Sequence, residues 1–267
     1  MFPHYVNLWG KQIHPHLLFE SLGYAVAFGV YLVLRRRFGD NVTAPTRWVV
    51  VAGAVAGGAI GAKLLFLFED PQLTMRNLQN PAYLTGGKTI VGALAFGLLF
   101  VELLKNYIRL SRSTGDLYAI PLCLGIAVGR IGCFLTGLGD NTYGKRTSLP
   151  WAVDFGDGVP RHPTQLYETL FLVAFIPILY FVLLSISKRK DRSVRTVFVD
   201  GDAFKLFMVA YMTFRLLCDF IKPYPRIFLG LGGIQWACLL VLLYYSRDVA
   251  RWLRLAGVSR RLSLRQA

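Results

Sequence analysis

Gly129-Arg130-Ile131-Gly132-Cys133-Phe134, continuing through Thr136-Gly137 to Asp140-Asn141-Thr142-Tyr143-Gly144, decides how the rest of the chain is read. It closes an apolar run that begins at Leu117, so Arg130 falls where a bilayer-spanning helix meets the membrane surface. A charge at that depth is costly unless it is paired or hydrated, which makes it a functional candidate by default. Its planar guanidinium matches a phosphate or a carboxylate. Gly129 and Gly132 remove side chains on either side of it and admit a backbone or a ligand. The competing reading is an arginine that snorkels from a helix end to the headgroups.

Outward from this stretch the chain is apolar. Of its 267 residues, 54% are hydrophobic, and the mean hydropathy is +0.46. That composition excludes an ordinary soluble domain and indicates a polytopic membrane protein. Seven runs approach the roughly 20 residues a span requires. They lie near 15–35, 48–68, 88–106, 116–135, 164–187, 202–222 and 227–246. The expectation is an all-α integral membrane protein of seven transmembrane helices in a single domain, 1–267, with a small extracytoplasmic head loop at 136–163. Met1 to His14 lacks a basic segment followed by an apolar core and does not read as a signal peptide. Cys123, Cys133, Cys218 and Cys238 form no CxxC pair, so neither a disulfide framework nor a zinc spacing is indicated.

The net charge of +15 alternates along the chain. Eighteen Lys and Arg fall after the odd-numbered runs and eight on the opposite side. The positive-inside rule then places the N-terminus outside and the basic C-terminus in the cytoplasm. Nucleic-acid binding explains a basic balance too, but not this alternation, so no nucleic-acid partner is expected.

Several polar residues interrupt the apolar runs. His16 and Glu20 open the first; a wetted interfacial histidine is the plain reading there. Gly53, Gly57 and Gly61 form a doubled GxxxG pattern, which means close helix packing. Lys63 either snorkels or pairs with an acid such as Glu69. Gln165, Tyr167 and Glu168 crowd the first turns of the fifth run, more polar groups than anchoring needs, and Thr164 is placed to cap it. Arg215 and Asp219 are four apart on one helix face and can pair, either as a structural ion pair or as part of a site. There is no Walker loop, HExxH, GxSxG or heptad run.

Together these residues resemble the bacterial prolipoprotein diacylglyceryl transferase family. Gly129 to Gly144 is similar to that family's GR-apolar-GNF-apolar-NGE-apolar-WG signature. Leu149-Pro150-Trp151-Ala152-Val153 and Arg161-His162-Pro163-Thr164-Gln165-Leu166-Tyr167-Glu168 resemble its LPWAV and RHPSQLYE blocks. Phe214-Arg215 with Asp219 and Lys222, and Phe228-Leu229-Gly230-Leu231 with Gly233 and Gln235, resemble its later segments. The order and spacing hold over nearly the whole chain. The resemblance implies a bacterial inner-membrane enzyme that moves a diacylglyceryl group from phosphatidylglycerol to the thiol of a lipobox cysteine in prolipoproteins, with release of glycerol phosphate. It implies no cofactor and no metal; the bilayer, phosphatidylglycerol and lipobox-containing prolipoproteins are the expected partners.

Arg130 and Arg215 are then expected to clamp the phosphate, with His16 and Asp140 as further catalytic candidates. Gly129, Gly132, Cys133, Gly144, Gln165, Tyr167, Glu168 and Asp219 are expected to bind substrate. The sequence also departs from the family. Val91 stands where the family has a histidine, His16 where it has a tyrosine and Cys133 where it has an asparagine; the glutamate of NGE falls at Leu138 or at Asp140. Val91 cannot carry a proton, so His16 is the expected substitute. Two alternatives remain beside the transferase: a paralogue on the same scaffold that serves another acceptor or is inactive, and a transporter or channel with buried ion pairs.

Overall fold

Long apolar runs in lipid satisfy their backbone groups internally, and the helix is the simplest way to do so. The computed structural model of the chain describes residues 2–8, 10–40, 42–190 and 197–263. A short hairpin, β1 (Val6–Leu8) and β2 (Lys11–Ile13), leads into α1 (Pro15–Phe38). Then follow α2 (Ala44–Glu69), two short helices α3 (Pro71–Arg76) and α4 (Pro81–Thr85), and α5 (Ile90–Tyr107). A 3-10 turn, Asp116–Tyr118, starts α6 (Ala119–Thr136). Between α6 and α7 (Thr164–Lys190) lie a second 3-10 turn, Gly137–Asp140, and a small hairpin, β3 (Val153–Asp154) with β4 (Pro160–Arg161). The chain closes with α8 (Asp202–Cys218), a 3-10 turn Asp219–Ile221, α9 (Gly233–Tyr244) and α10 (Ser246–Ser263).

Among the described residues, five helices are long and apolar enough to cross a bilayer: α1, α2, α5, the α6 region and α7. At 1.5 Å per residue, 18 residues reach about 27 Å, close to the hydrocarbon thickness. Large apolar side chains such as Phe28, Val33, Val55, Phe181 and Leu243 face outward, as a lipid-facing surface requires. The protein is a multi-pass, mostly helical membrane protein. The runs near 202–222 and 227–246 form shorter helices than expected. α8 has 17 residues and carries Asp202, Lys205 and Arg215; it stops before Pro223 and Pro225. α9 has 12, because a tight turn with Leu229 and Gly230 at positive φ occupies the start of that run.

α2 lies along α5, α1 along α6, α6 along α7, and α8 on α9. The GxxxG stripe explains the first pair: a Cβ at Gly57 or Gly61 would lie 2.5 Å from Phe96 O or 2.3 Å from Gly92 O, so only glycine admits α5 this closely. The Lys63 ammonium binds the carbonyls of Gly86 and Gly87 rather than the Glu69 carboxylate. Thr164 opens α7 but donates to Thr142 O at 2.6 Å, tying the helix to the preceding segment. Asp116 holds the start of α8, accepting from the backbone N–H of Gly201, Ala203 and Phe204. The basic α10 docks on α8 through Arg251 with Asp202 and Lys205 with Asp248. Of the basic residues used to assign sidedness, Arg192, Arg195 and Arg265 lie outside the described residues.

Candidate active site

Two charged clusters meet at Arg130. In the first, Glu168 enters from α7 with its side chain fully buried. Its Oε2 lies 2.9 Å from Arg130 Nε and 3.5 Å from Arg215 Nη1, while its Oε1 accepts a hydrogen bond from Tyr211 at 2.6 Å. Arg215 also pairs with Asp219 at 3.0 Å, the i,i+4 contact within the C-terminal turn of α8. Lys222 is buried beside them, its ammonium 5.3 Å from the Tyr224 ring centroid.

This cluster is paired but not saturated. The Arg130 Nε is close to Glu168 without the alignment of a hydrogen bond, and the Arg215 Nε has no partner. Gln165, one helical turn before Glu168 and on the same face, is buried with both amide atoms unpartnered. Unmet buried polar groups of this kind cost about 1–3 kcal/mol each and suit a place that receives a polar ligand.

The second cluster sits where α1 crosses α6. Cys133 lies one turn after Arg130, with its Sγ 3.8 Å from Arg130 Nη1 and 4.0 Å from His16 Nδ1. His16 Nδ1 is 3.0 Å from Asp140 Oδ1, and its Nε2 is 3.5 Å from Glu20 Oε2. Donor atoms of His16, Cys133 and Asp140 all lie within 4.8 Å of one another. Glu20 is itself held by Lys88 at 2.7 Å and Tyr24 at 3.0 Å. Gly132 makes this crossing possible, since a Cβ there would sit 2.6 Å from Phe19 Cβ and 3.2 Å from Pro15 O. Gly137, at φ 71°, turns the chain out of α6 and brings Asp140 back toward His16.

The structure thus brings Arg130, Arg215, Glu168, Asp219 and Gln165 to one place, and His16, Cys133 and Asp140 to another beside it. Tyr167 is elsewhere: its hydroxyl accepts from Trp151 Nε1 at 2.7 Å and lies 3.2 Å from His162 Nδ1. Gly144 packs against His162 and Thr164. Gly129 faces open space, with nothing within 4 Å of a Cβ built on it. Val91 is fully buried in the apolar core. In the segment between α6 and α7, Arg161 binds Asp157 through both carboxylate oxygens and holds that carboxyl below its usual range.

Tyr211 as a donor to Glu168, the Glu20–Lys88 pair as the support of His16, and the locking role of Gln235 are visible only in the structure. The Gln235 side chain accepts from Arg226 and from the Gly232 N–H, and its amide donates to Leu216 O at 3.1 Å, locking α8 to the start of α9. Arg226 also reaches Asp219 O at 2.9 Å. For Gln235 the available signal is its place within the segment that resembles the family.

The family model for prolipoprotein diacylglyceryl transferase matches residues 3–247. A phosphatidylglycerol–prolipoprotein diacylglyceryl transferase of Bordetella parapertussis is 33% identical over 232 residues, covering 82% of this chain and 81% of the relative. The protein of that name in Geobacter sulfurreducens is 29% identical over 245 residues, covering 86% of each chain. The one in Clostridium tetani is 29% identical over 235 residues, with 85% and 87% covered.

Proposed function

The chain belongs to the prolipoprotein diacylglyceryl transferase family, and on that premise we propose that it transfers a diacylglyceryl group from phosphatidylglycerol to the cysteine thiol of a prolipoprotein lipobox. In this reaction the thiol sulfur bonds to the glyceryl carbon that carries the phosphate ester. The carbon–oxygen bond breaks, and glycerol phosphate leaves with the electron pair. The seven crossings, the outer position of the N-terminus, the cytoplasmic C-terminus and the bacterial inner membrane are part of the same proposal.

What carries this reading is the buried arginine pair bridged by Glu168, with unmet Nε and Gln165 groups beside it. Arg130 and Arg215 are cast as the clamp on the phosphate, and Gln165 as a further donor to its oxygens. Glu168 and Asp219 keep the two guanidinium groups together while no phosphate is bound. In a water-poor site, fixed positive charge stabilises negative charge growing on the leaving phosphate far better than it does in water. Gly129 leaves room at the side where a headgroup approaches. His16, held by Asp140, stands in for the family's histidine and assists loss of the thiol proton.

One observation favours a second reading. Val91 occupies the family histidine's place and is part of the apolar core, which suits a paralogue with another acceptor or with no transfer activity. The deciding experiment gives the chain to a strain depleted of its transferase and, in parallel, incubates purified protein with labelled lipobox peptide and defined phosphatidylglycerol. Growth with a lipid-shifted peptide supports transfer. A stable, membrane-inserted chain that neither rescues nor modifies the peptide overturns it.

A further inference from the structure

We propose that His16, Cys133 and Asp140 form a binding site for a divalent cation of zinc's class. Three kinds of donor converge there: an imidazole nitrogen, a thiol sulfur and a carboxylate oxygen, all within 4.8 Å of one another. Nitrogen, sulfur and oxygen together are the mixed donor set that zinc and cobalt accept, and that magnesium or calcium does not select. In a tetrahedral site with bonds of about 2.0–2.3 Å, donors stand roughly 3.3–3.8 Å apart. The observed separations, 3.0 Å from His16 Nδ1 to Asp140 and 4.0 Å to Cys133 Sγ, bracket that spacing. Small side-chain rotations bring the three to it.

An independent feature points the same way. A metal-bound histidine usually gives its other ring N–H to a carboxylate, which fixes the ring. His16 turns its Nε2 to Glu20 Oε2, 3.5 Å away, and Glu20 is in turn fastened by Lys88 and Tyr24. That leaves Nδ1 directed at Cys133 and Asp140. Arg130 Nη1 lies 3.8 Å from the same sulfur. The backbone holds the donors in place: Gly132 lets α1 approach α6 at this level, and the turn after Gly137 returns Asp140 to it.

Three protein ligands leave one coordination position open, as in zinc sites that take a substrate group rather than structural ones. Resting on the transfer reading above, that fourth ligand is the acceptor thiol: its sulfur bonds to the metal and its proton is released to water. The cation would then supply the activation that Val91 cannot.

The test uses the full chain in detergent, stripped with a chelator and then titrated with zinc or cobalt alone. The expected result is one equivalent bound per chain and, with cobalt, a thiolate-to-metal charge-transfer absorption. Cys133→Ser should abolish that absorption, and Asp140→Asn should weaken binding at least tenfold. Glu20→Gln should weaken it roughly 10–100-fold while the absorption stays. Melting of each metal-free variant at the parent temperature shows that the fold is intact; if Cys133→Ser does not fold, alkylation of Cys133 in the parent replaces it. Cobalt bound without the thiolate absorption, affinity unchanged on losing Cys133, or no stoichiometric binding by the parent overturns the site. Binding is read without lipid or peptide. A chain that holds metal and transfers no lipid therefore overturns only the transfer reading, and one that transfers lipid without holding metal overturns only this one.

Discussion

Glu168 Oε2 lies 2.9 Å from Arg130 Nε, and both side chains are buried, one on α7 and the other on α6. The same oxygen faces Arg215 on α8. One carboxylate therefore ties three helices together around two guanidinium groups. Breaking a buried pair from one side is expensive, because the charge left behind has no water to replace its partner.

Glu168→Gln should accordingly destabilise the protein by about 3–5 kcal/mol, since it strands the buried Arg130 and leaves Arg215 with Asp219 alone. Its melting in detergent should recover in part when phosphatidylglycerol is added, as phosphate oxygens take the place of the carboxylate. A variant that melts with the parent means the bridge carries no load.

Arg215→Ala and Asp219→Ala separate a binding pair from a structural one. Arg215→Ala should lower lipid transfer on the order of 10²–10³-fold while folded protein is still recovered, as loss of a preorganised positive donor does. Asp219→Ala should cost much less activity, because Glu168 still faces Arg215. Equal loss of detergent-stable protein in both variants would assign the pair to the scaffold.

His16→Ala should reduce transfer on the order of 10²-fold, the usual cost of losing a group that helps the acceptor thiol shed its proton. Val91→His should not restore it, since residue 91 points into the apolar core. An imidazole buried there without a partner costs about 1–3 kcal/mol on protein scales, so the double variant should melt below His16→Ala. Recovery of transfer in the double variant would show that position 91 does face the reacting groups.

Gly132→Ala and Gly129→Ala give opposite outcomes about one turn apart on one helix. The first places a methyl 2.6 Å from Phe19 Cβ, and should lower stability by about 1–3 kcal/mol as α1 is pushed off α6. The second meets nothing within 4 Å and gains helix propensity, so its melting should hold or rise. A drop in transfer by Gly129→Ala at unchanged melting would mark that open side as the headgroup's approach.

Short-range features were legible from the order of residues alone. Length and hydropathy define the helices α1, α2, α5, α6 and α7, because each satisfies its own backbone groups within one segment. The Arg215–Asp219 pair follows from a spacing of four on one helix, and Gly57 and Gly61 announce close packing without saying which helix packs there. The families of residues in the RHPTQLYE and GRIG blocks carry the resemblance that the match over residues 3–247 shows.

Contacts between helices were decided only in three dimensions. His16 and Cys133 are 117 residues apart, and no spacing in the chain relates them. Whether they touch depends on how α1 and α6 cross and on the rotation of each about its axis, which the whole bundle sets. The same holds for Glu168 with Arg130, and for Tyr167, which shares the first turn of α7 with Gln165 and Glu168 yet faces Trp151 and His162. The lengths of α8 and α9 were settled there too, since the turn at Leu229–Gly230 and the prolines after Asp219 shorten runs whose hydropathy alone reads as spans.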